Sequence, residues 1–219
     1  VTNIKYYVKT RNQTRFQIMS FLQKSFFPGF FLLFAVAAQA QLSVQTSSLL
    51  KREVEIAAVA QMLSDSFGAP IPIIERFMRE AMQVEKSEHV PAAAFVAIAT
   101  LESTGFTSYL YKNSGNPFGM KAGPNWKGEV FMMWHEGAMT PFRSYATPTE
   151  AVYDFARFLR SRKWFKDALV CPTGDYECFI KGMSVHAKRR EPGYAADPLW
   201  PEKVRRVIQK YGLDVLSRK

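Results

Sequence analysis

Glu102 closes the run PAAAFVAIATLES at positions 91–103, in which nearly every other residue is apolar. A helix hydrophobic on all sides belongs in a core, so this one carries a carboxyl group into an apolar setting. Burial disfavours the charged form and raises a carboxyl pKa. An acid of that kind keeps its proton near neutrality and can pass it to a leaving oxygen. Breaking a glycosidic bond needs such a donor, with a second carboxylate to handle the water or the developing positive charge. The plainer alternative is a solvated glutamate at a helix end.

The stretch that follows, LESTGFTSYLYKNSGNPFGMKAGPNW, is punctuated by Gly105, Gly115, Gly119 and Gly123 and by Asn113, Asn116, Pro117 and Asn125, which together mark a long irregular segment. Long loops inside a compact domain are either binding loops or disorder. Phe106, Tyr109, Leu110, Tyr111, Phe118, Met120 and Trp126 are too apolar for a solvated tail. The segment therefore reads as a cleft wall whose rings stack on sugar faces or pack the loop onto the core.

Five blocks occur in order along the chain: Glu102-Ser103 with Ser108-Tyr109-Leu110, then Asn116-Pro117-Phe118-Gly119-Met120-Lys121, Trp126-Lys127-Gly128, Phe142-Arg143-Ser144-Tyr145, and finally GYAADPLW at 193–200. This ordered set resembles the glucosaminidase family, glycoside hydrolase family 73, over approximately residues 50 to 215. The resemblance implies a mainly α, α+β fold: a lysozyme-like helical domain with a small β-hairpin lobe across a substrate groove. It also implies hydrolysis of the β-1,4 bond that follows N-acetylglucosamine in peptidoglycan; nothing in the sequence requires a cofactor.

By the same resemblance Glu102 matches the general acid. The block that usually reads E-S-G-W-G is here Glu102-Ser103-Thr104-Gly105-Phe106, a departure that touches loop geometry more than chemistry. Tyr194 matches a tyrosine lining the active site, and Asn116 and Phe118, with Gly119, match the turn that shapes the cleft floor. The second carboxylate falls within WKGEVFMMWHEGAMTPFRSY: Glu136 is the preferred match, Glu129 the second choice. Substrate assistance by the sugar's acetamido group would remove the need for either. Trp126 and Trp134 are expected to face the groove and stack on sugar. Trp200 is read either as a platform beside Tyr194 or as the residue seating the last helix, with packing slightly favoured. A lytic transglycosylase and a wall-binding module with a disabled site remain the alternatives.

Only two cysteines are present, Cys171 and Cys178, flanking the turn-rich PTGDYE. In an oxidising compartment they are expected to pair. A metal pair or a catalytic thiol fits less well, because His89, His135 and His186 show no ligand spacing to them or to each other. No metal is expected. The formal charge is +10. Residues 1–40 hold five bases and no acid, so the remainder carries an excess of +5. A modestly positive surface favours encounter with the carboxylates of peptidoglycan stems. Nucleic acid is not an expected partner, since the basic run Lys188-Arg189-Arg190 stands outside any known nucleic-acid motif.

The elements that must position these residues are mostly helices. Residues 19–40 carry one lysine, an apolar run and Ala38-Gln39-Ala40, the pattern of a cleavable secretory signal. The expectation is export to the periplasm or the extracellular wall as a monomer, without a stable membrane anchor. Residues 1–18 read as an over-extended N-terminus, 41–50 as a Ser-rich linker and 51–219 as a single domain. Helical periodicity covers 51–66, with Val54, Ala57, Ala58 and Leu63, and 72–88, with Ile73, Ile74, Phe77, Met78, Ala81 and Val84. Strands are expected at 129–134 and 139–145, joined by a turn at 135–138. Thr147-Pro148 with Glu150 reads as a capped helix start, its buried stripe formed by Val152, Phe155, Ala156, Phe158 and Leu159. A short helix follows at 179–188. Asp197-Pro198 repeats the cap-and-proline signal for a last helix that runs through Tyr211 and ends at Gly212.

Overall fold

The central helix explains the rest of the architecture. In the computed structural model, which describes residues 28–184 and 193–218, the segment Ala92–Glu102 (α3) has no exposed surface from Ala92 through Ala99. Its alanines let neighbours approach closely on every side. Around it pack α2 (Ile71–Glu88), α7 (Tyr176–Met183), α8 (Trp200–Tyr211) and the closing 3-10 turn Leu213–Ser217. The helix α2 buries Ile74, Phe77, Met78, Ala81 and Val84, the three-and-four spacing of a single apolar face. Before it comes α1 (Pro28–Phe67); after α3 come the short α4 (Tyr109–Ser114), α5 (Pro148–Arg160) and α6 (Lys166–Leu169).

Two compact units divide the chain, Val1–Lys51 and Arg52–Lys219. Within the first, the Ser-rich residues 41–50 are helical. The Ser43, Thr46, Ser47 and Ser48 hydroxyls donate to carbonyls three or four residues back, a bonding pattern that lets hydroxyl residues sit inside a helix. Val54, Ala57 and Ala58 of the expected stripe are exposed, and the buried positions are Ile56, Val59, Ala60 and Leu63. The expected N-terminal extension 1–18 and the first part of the leader lie outside the described residues, as do His186 and the basic run Lys188-Arg189-Arg190. Among the described residues no helix is long and apolar enough to cross a membrane.

The helix α5 starts as its sequence predicts. Thr147 Oγ1 accepts from the Glu150 amide while Glu150 accepts from the Ala146 amide, a capping arrangement with Pro148 in the first turn. The last helix differs. It begins at Trp200, three residues beyond Asp197, with Pro201 in its first turn. Asp197 instead accepts from the Leu199 amide in a turn ahead of the helix, the local bonding that short acidic side chains favour. Gly212, with φ +63°, ends it as expected. Cys171 and Cys178 are joined by a disulfide.

The described strands are β1 (Val130–His135) and β2 (Ala138–Arg143). They pair antiparallel from Val130 opposite Arg143 to His135 opposite Ala138. Glu136 and Gly137 form the two-residue turn, both with positive φ, the geometry that matches the twist of a hairpin.

Candidate functional site

The C-terminal end of α3 opens into a groove of about 790 Å³ bordered by Glu102, Phe118, Lys121, Met133, His135, Phe158, Arg162 and Tyr194, among others. Helices form one wall and the hairpin the other. The Glu102 side chain is open to this groove, so it is less enclosed than the apolar run around it implies. Its carboxyl is nonetheless crowded by protein, and desolvation raises its pKa above the ordinary value. One hydrogen bond works against that shift: the Trp200 indole N–H donates to Glu102 Oε1 at 3.3 Å. Trp200 is buried, so it seats α8 and holds the acid at once.

The chain turns sharply just after Glu102. Thr104, Gly105 and Phe106 all have positive φ, a conformation that strains side-chain-bearing residues by roughly 1–3 kcal/mol each. Ser103 holds the turn in place: its hydroxyl donates to the Ala99 carbonyl and accepts from the Phe106 amide. At position 105 only glycine fits, because a Cβ would come within 2.1 Å of the Phe67 ring. Strain of this kind concentrates at functional sites.

Tyr194 borders the same groove. Its hydroxyl donates to the Phe118 carbonyl at 3.2 Å, and its ring lies 5.1 Å from that of Trp200. Burial, with the charge of Glu102 beside it, pushes the phenol pKa well up, so Tyr194 stays a neutral donor. Phe118 is buried on the groove floor, stacked on Phe155 at 4.1 Å. Asn116 is fully committed elsewhere. Its amide donates to the Met120 and Arg143 carbonyls and its oxygen accepts from the Met120 amide, so it shapes the floor without facing substrate.

The other expected positions are dispersed. Glu136 sits at the hairpin tip, 74% exposed, 3.5 Å from both Lys121 Nζ and His135 Nε2. Glu129 borders a separate cavity, together with Trp126, Tyr145 and Asp154. Trp126 is likewise absent from the groove lining; its indole donates to the Glu129 carbonyl and Arg143 stacks on its ring. Trp134 is 67% exposed, while its strand neighbours Met133 and His135 line the groove. Successive strand residues face opposite sides, and Trp134 falls on the outer one. Phe158, assigned to the buried stripe of α5 by periodicity, instead borders the groove with Arg162. Among the described residues Glu102 is the only carboxylate lining the groove.

A helical body facing a small hairpin across a groove with one desolvated acid is a lysozyme-like arrangement. The chain matches the Glucosaminidase family model, described as mannosyl-glycoprotein endo-beta-N-acetylglucosaminidase, over residues 78–213. It is 30% identical over 156 residues to the peptidoglycan hydrolase FlgJ of Vibrio parahaemolyticus, covering 66% of this chain and 48% of that protein. It is 29% identical over 152 residues to the exo-glucosaminidase LytG of Bacillus subtilis, covering 64% and 51%. Among solved structures, a peptidoglycan hydrolase from Sphingomonas sp. A1 superposes with a TM-score of 0.54 at 27% identity, covering 65% of this chain and 89% of that one. The chain spans about half the length of these two sequence relatives. It belongs to the glucosaminidase family.

Proposed function

We propose that this protein hydrolyses the β-1,4 bond following N-acetylglucosamine in peptidoglycan, with Glu102 as general acid. The observation that carries the reading is the Glu102 carboxyl at the groove, its pKa raised by desolvation and its position held by Trp200. The proton passes from Glu102 to the glycosidic oxygen as the C1–O bond breaks. Water adds its oxygen to C1 and gives up a proton, restoring the acid at the end of the cycle. Tyr194 keeps its hydroxyl proton and orients either the acetamido group or the water. The 19–40 leader pattern supports export, where such a substrate resides.

Glu136 is the second carboxylate of this proposal, through motion of the hairpin tip toward the groove. Its left-handed backbone supports the choice, since Asn, Asp or Gly would fit that turn position with less strain. The competing route uses the substrate's own acetamido oxygen to attack C1. Glu136→Gln separates them: a rate near that of the wild type excludes Glu136 and favours substrate assistance.

The deciding experiment is mass spectrometry of the products from purified sacculi. Hydrolysis leaves a reducing N-acetylglucosamine end with the mass of water added. Anhydro ends on muramic acid would establish a transglycosylase instead, and binding without soluble product a wall-binding module.

A further inference from the structure

Among the described residues, four cationic or potentially cationic side chains line the groove, Lys121, His135, Arg143 and Arg162, against the single carboxylate of Glu102. Three of the four have acidic neighbours. Lys121 and His135 both approach Glu136, and Arg143 pairs with the buried Asp154. Arg162 differs: among the described residues no carboxylate lies within ion-pair distance of it.

Arg162 is nevertheless held. It follows the C-terminal end of α5, and its guanidinium lies over the Phe158 ring at 5.3 Å and the Trp164 ring at 5.6 Å. Stacking on two rings restricts the flat cation and leaves its edge donors free, the disposition suited to two-point recognition of a carboxylate. Phe158 also borders the groove and stacks on Phe155, which in turn packs against Tyr194. The cation therefore stands on the helical wall, continuous with the packing that holds the active tyrosine.

We infer that Arg162 forms a subsite for a carboxylate on a side branch of the glycan, so that the groove selects strands bearing acidic peptide stems. The inference rests on the proposed reading of this groove as a glycan site and names the substrate class it prefers. N-acetylated sugar rings are neutral, and a fixed cation gains little from them. A branch ending in a carboxylate supplies the matching charge, and the exposed Arg162 guanidinium, oriented by Phe158 and Trp164, is accessible to it.

The test compares three soluble substrates: glycan strands with free-carboxylate stems, the same strands with the stem carboxylates amidated, and strands stripped of stems by an amidase. The readout is the ratio of kcat/KM on acidic to stripped strands. In the wild type that ratio exceeds one, and Arg162→Gln lowers it about ten-fold, the scale of one charge-assisted hydrogen-bonded contact. Amidated strands behave like stripped ones in the wild type. Arg162→Lys, which keeps charge but not the stacked fork, recovers part of the ratio. An equal loss on acidic and stripped strands would mean that Arg162 merely supports the wall, and would overturn the inference. So would a ratio indifferent to Arg162→Gln.

The same ratio is measured as dissociation constants by calorimetry in a Glu102→Gln background, with and without Arg162→Gln. Absence of cleavage by the wild type on all three substrates would defeat the hydrolase reading. The binding ratio would still decide the role of Arg162.

Discussion

The two walls of the groove are built to opposite standards. On the helical side, Glu102 ends a helix whose residues 92–99 have no exposed surface, and its carboxyl is held by a buried tryptophan. The helix that carries it is fixed by close packing, which leaves little freedom for the backbone under the acid. On the hairpin side, Val130, Met132, Trp134 and Met139 all stand open to solvent, and two strands alone are marginally stable in water. The hairpin is tied mainly through its second strand, whose Pro141 carbonyl and Arg143 amide bond the Ala122 amide and the Met120 carbonyl. Phe142 is buried, Asn116 bridges the loop to the Arg143 carbonyl, and Arg143 binds Asp154. The contrast implies that one wall supplies a preorganised acid and the other a surface able to shift when substrate enters.

The largest expected effect breaks the rigid side chemically and leaves it intact physically. Glu102→Gln preserves shape and removes the proton, so muropeptide release falls about 10²–10⁴-fold, the usual range for general-acid loss. Stability should respond in the other sense at neutral pH. Because the folded pKa of Glu102 lies above its ordinary value, the native state binds more protons than the unfolded chain between those two values. Stability is therefore lost as pH rises through that window. Glu102→Gln should flatten this part of the stability-versus-pH curve, measured by urea denaturation from acid to neutral pH. A variant that lost activity together with its fold would defeat the assignment of Glu102 as the acid alone.

Next in size is a change that unfastens the hairpin. Asp154 accepts from both Arg143 and the Tyr145 hydroxyl. Asp154→Ala would leave Arg143 unpaired and nearly buried, at a cost of about 3–5 kcal/mol by analogy with broken buried pairs. Hydrogen exchange should rise first in 130–143 while α3 stays protected. Uniform loss of protection in both walls would show them to be one cooperative unit and dissolve the contrast.

A smaller effect probes how the acid is tuned. The Trp200 indole favours the charged form of Glu102, so Trp200→Phe should raise the carboxyl pKa further. With Glu102 as the proposed general acid, activity follows its protonated form, so the alkaline limb of the kcat/KM profile should move to higher pH. A limb that moved down, or stayed in place with only the rate reduced, would assign Trp200 to packing alone.

The two walls also differ in how well the amino-acid sequence predicts them. The apolar run 91–103, the capped start of α5 and Gly212 at the end of α8 are local signals, and each element begins or ends within a few residues of its expected place. The groove beside Glu102 and Tyr194 follows from the ordered motif blocks. The hairpin side was less legible because residue type competed with register. Trp126 and Trp134 attract attention as aromatics, yet strand alternation turns Met133 and His135, not Trp134, toward the groove. Reading β1 as a period-two pattern anchored on its half-buried positions 131, 133 and 135 would have found them. Arg162 had no local signal at all, since its meaning depends on Phe158 and Trp164 meeting it in three dimensions. The helicity of residues 41–50 is not legible locally because serines disfavour helix on average, whereas here their hydroxyls bond back along it.

The smallest predicted effect returns to the turn after Glu102. Thr104 is exposed with φ +52°, where a β-branched residue is strained and glycine is not. Thr104→Gly should therefore gain up to about 1 kcal/mol from relieved strain, offset in part by greater freedom in the unfolded chain. The Ser103 hydroxyl and the Gly105 amide, bonded to the Thr100 carbonyl, already fix the path of the backbone, so the acid should keep its place and the rate should change little. If stability rises while activity falls, the strained threonine is tensioning the rigid wall, and the helical side is less self-sufficient than its packing implies. Denaturation midpoints and kcat/KM measured on the same preparation distinguish the two outcomes.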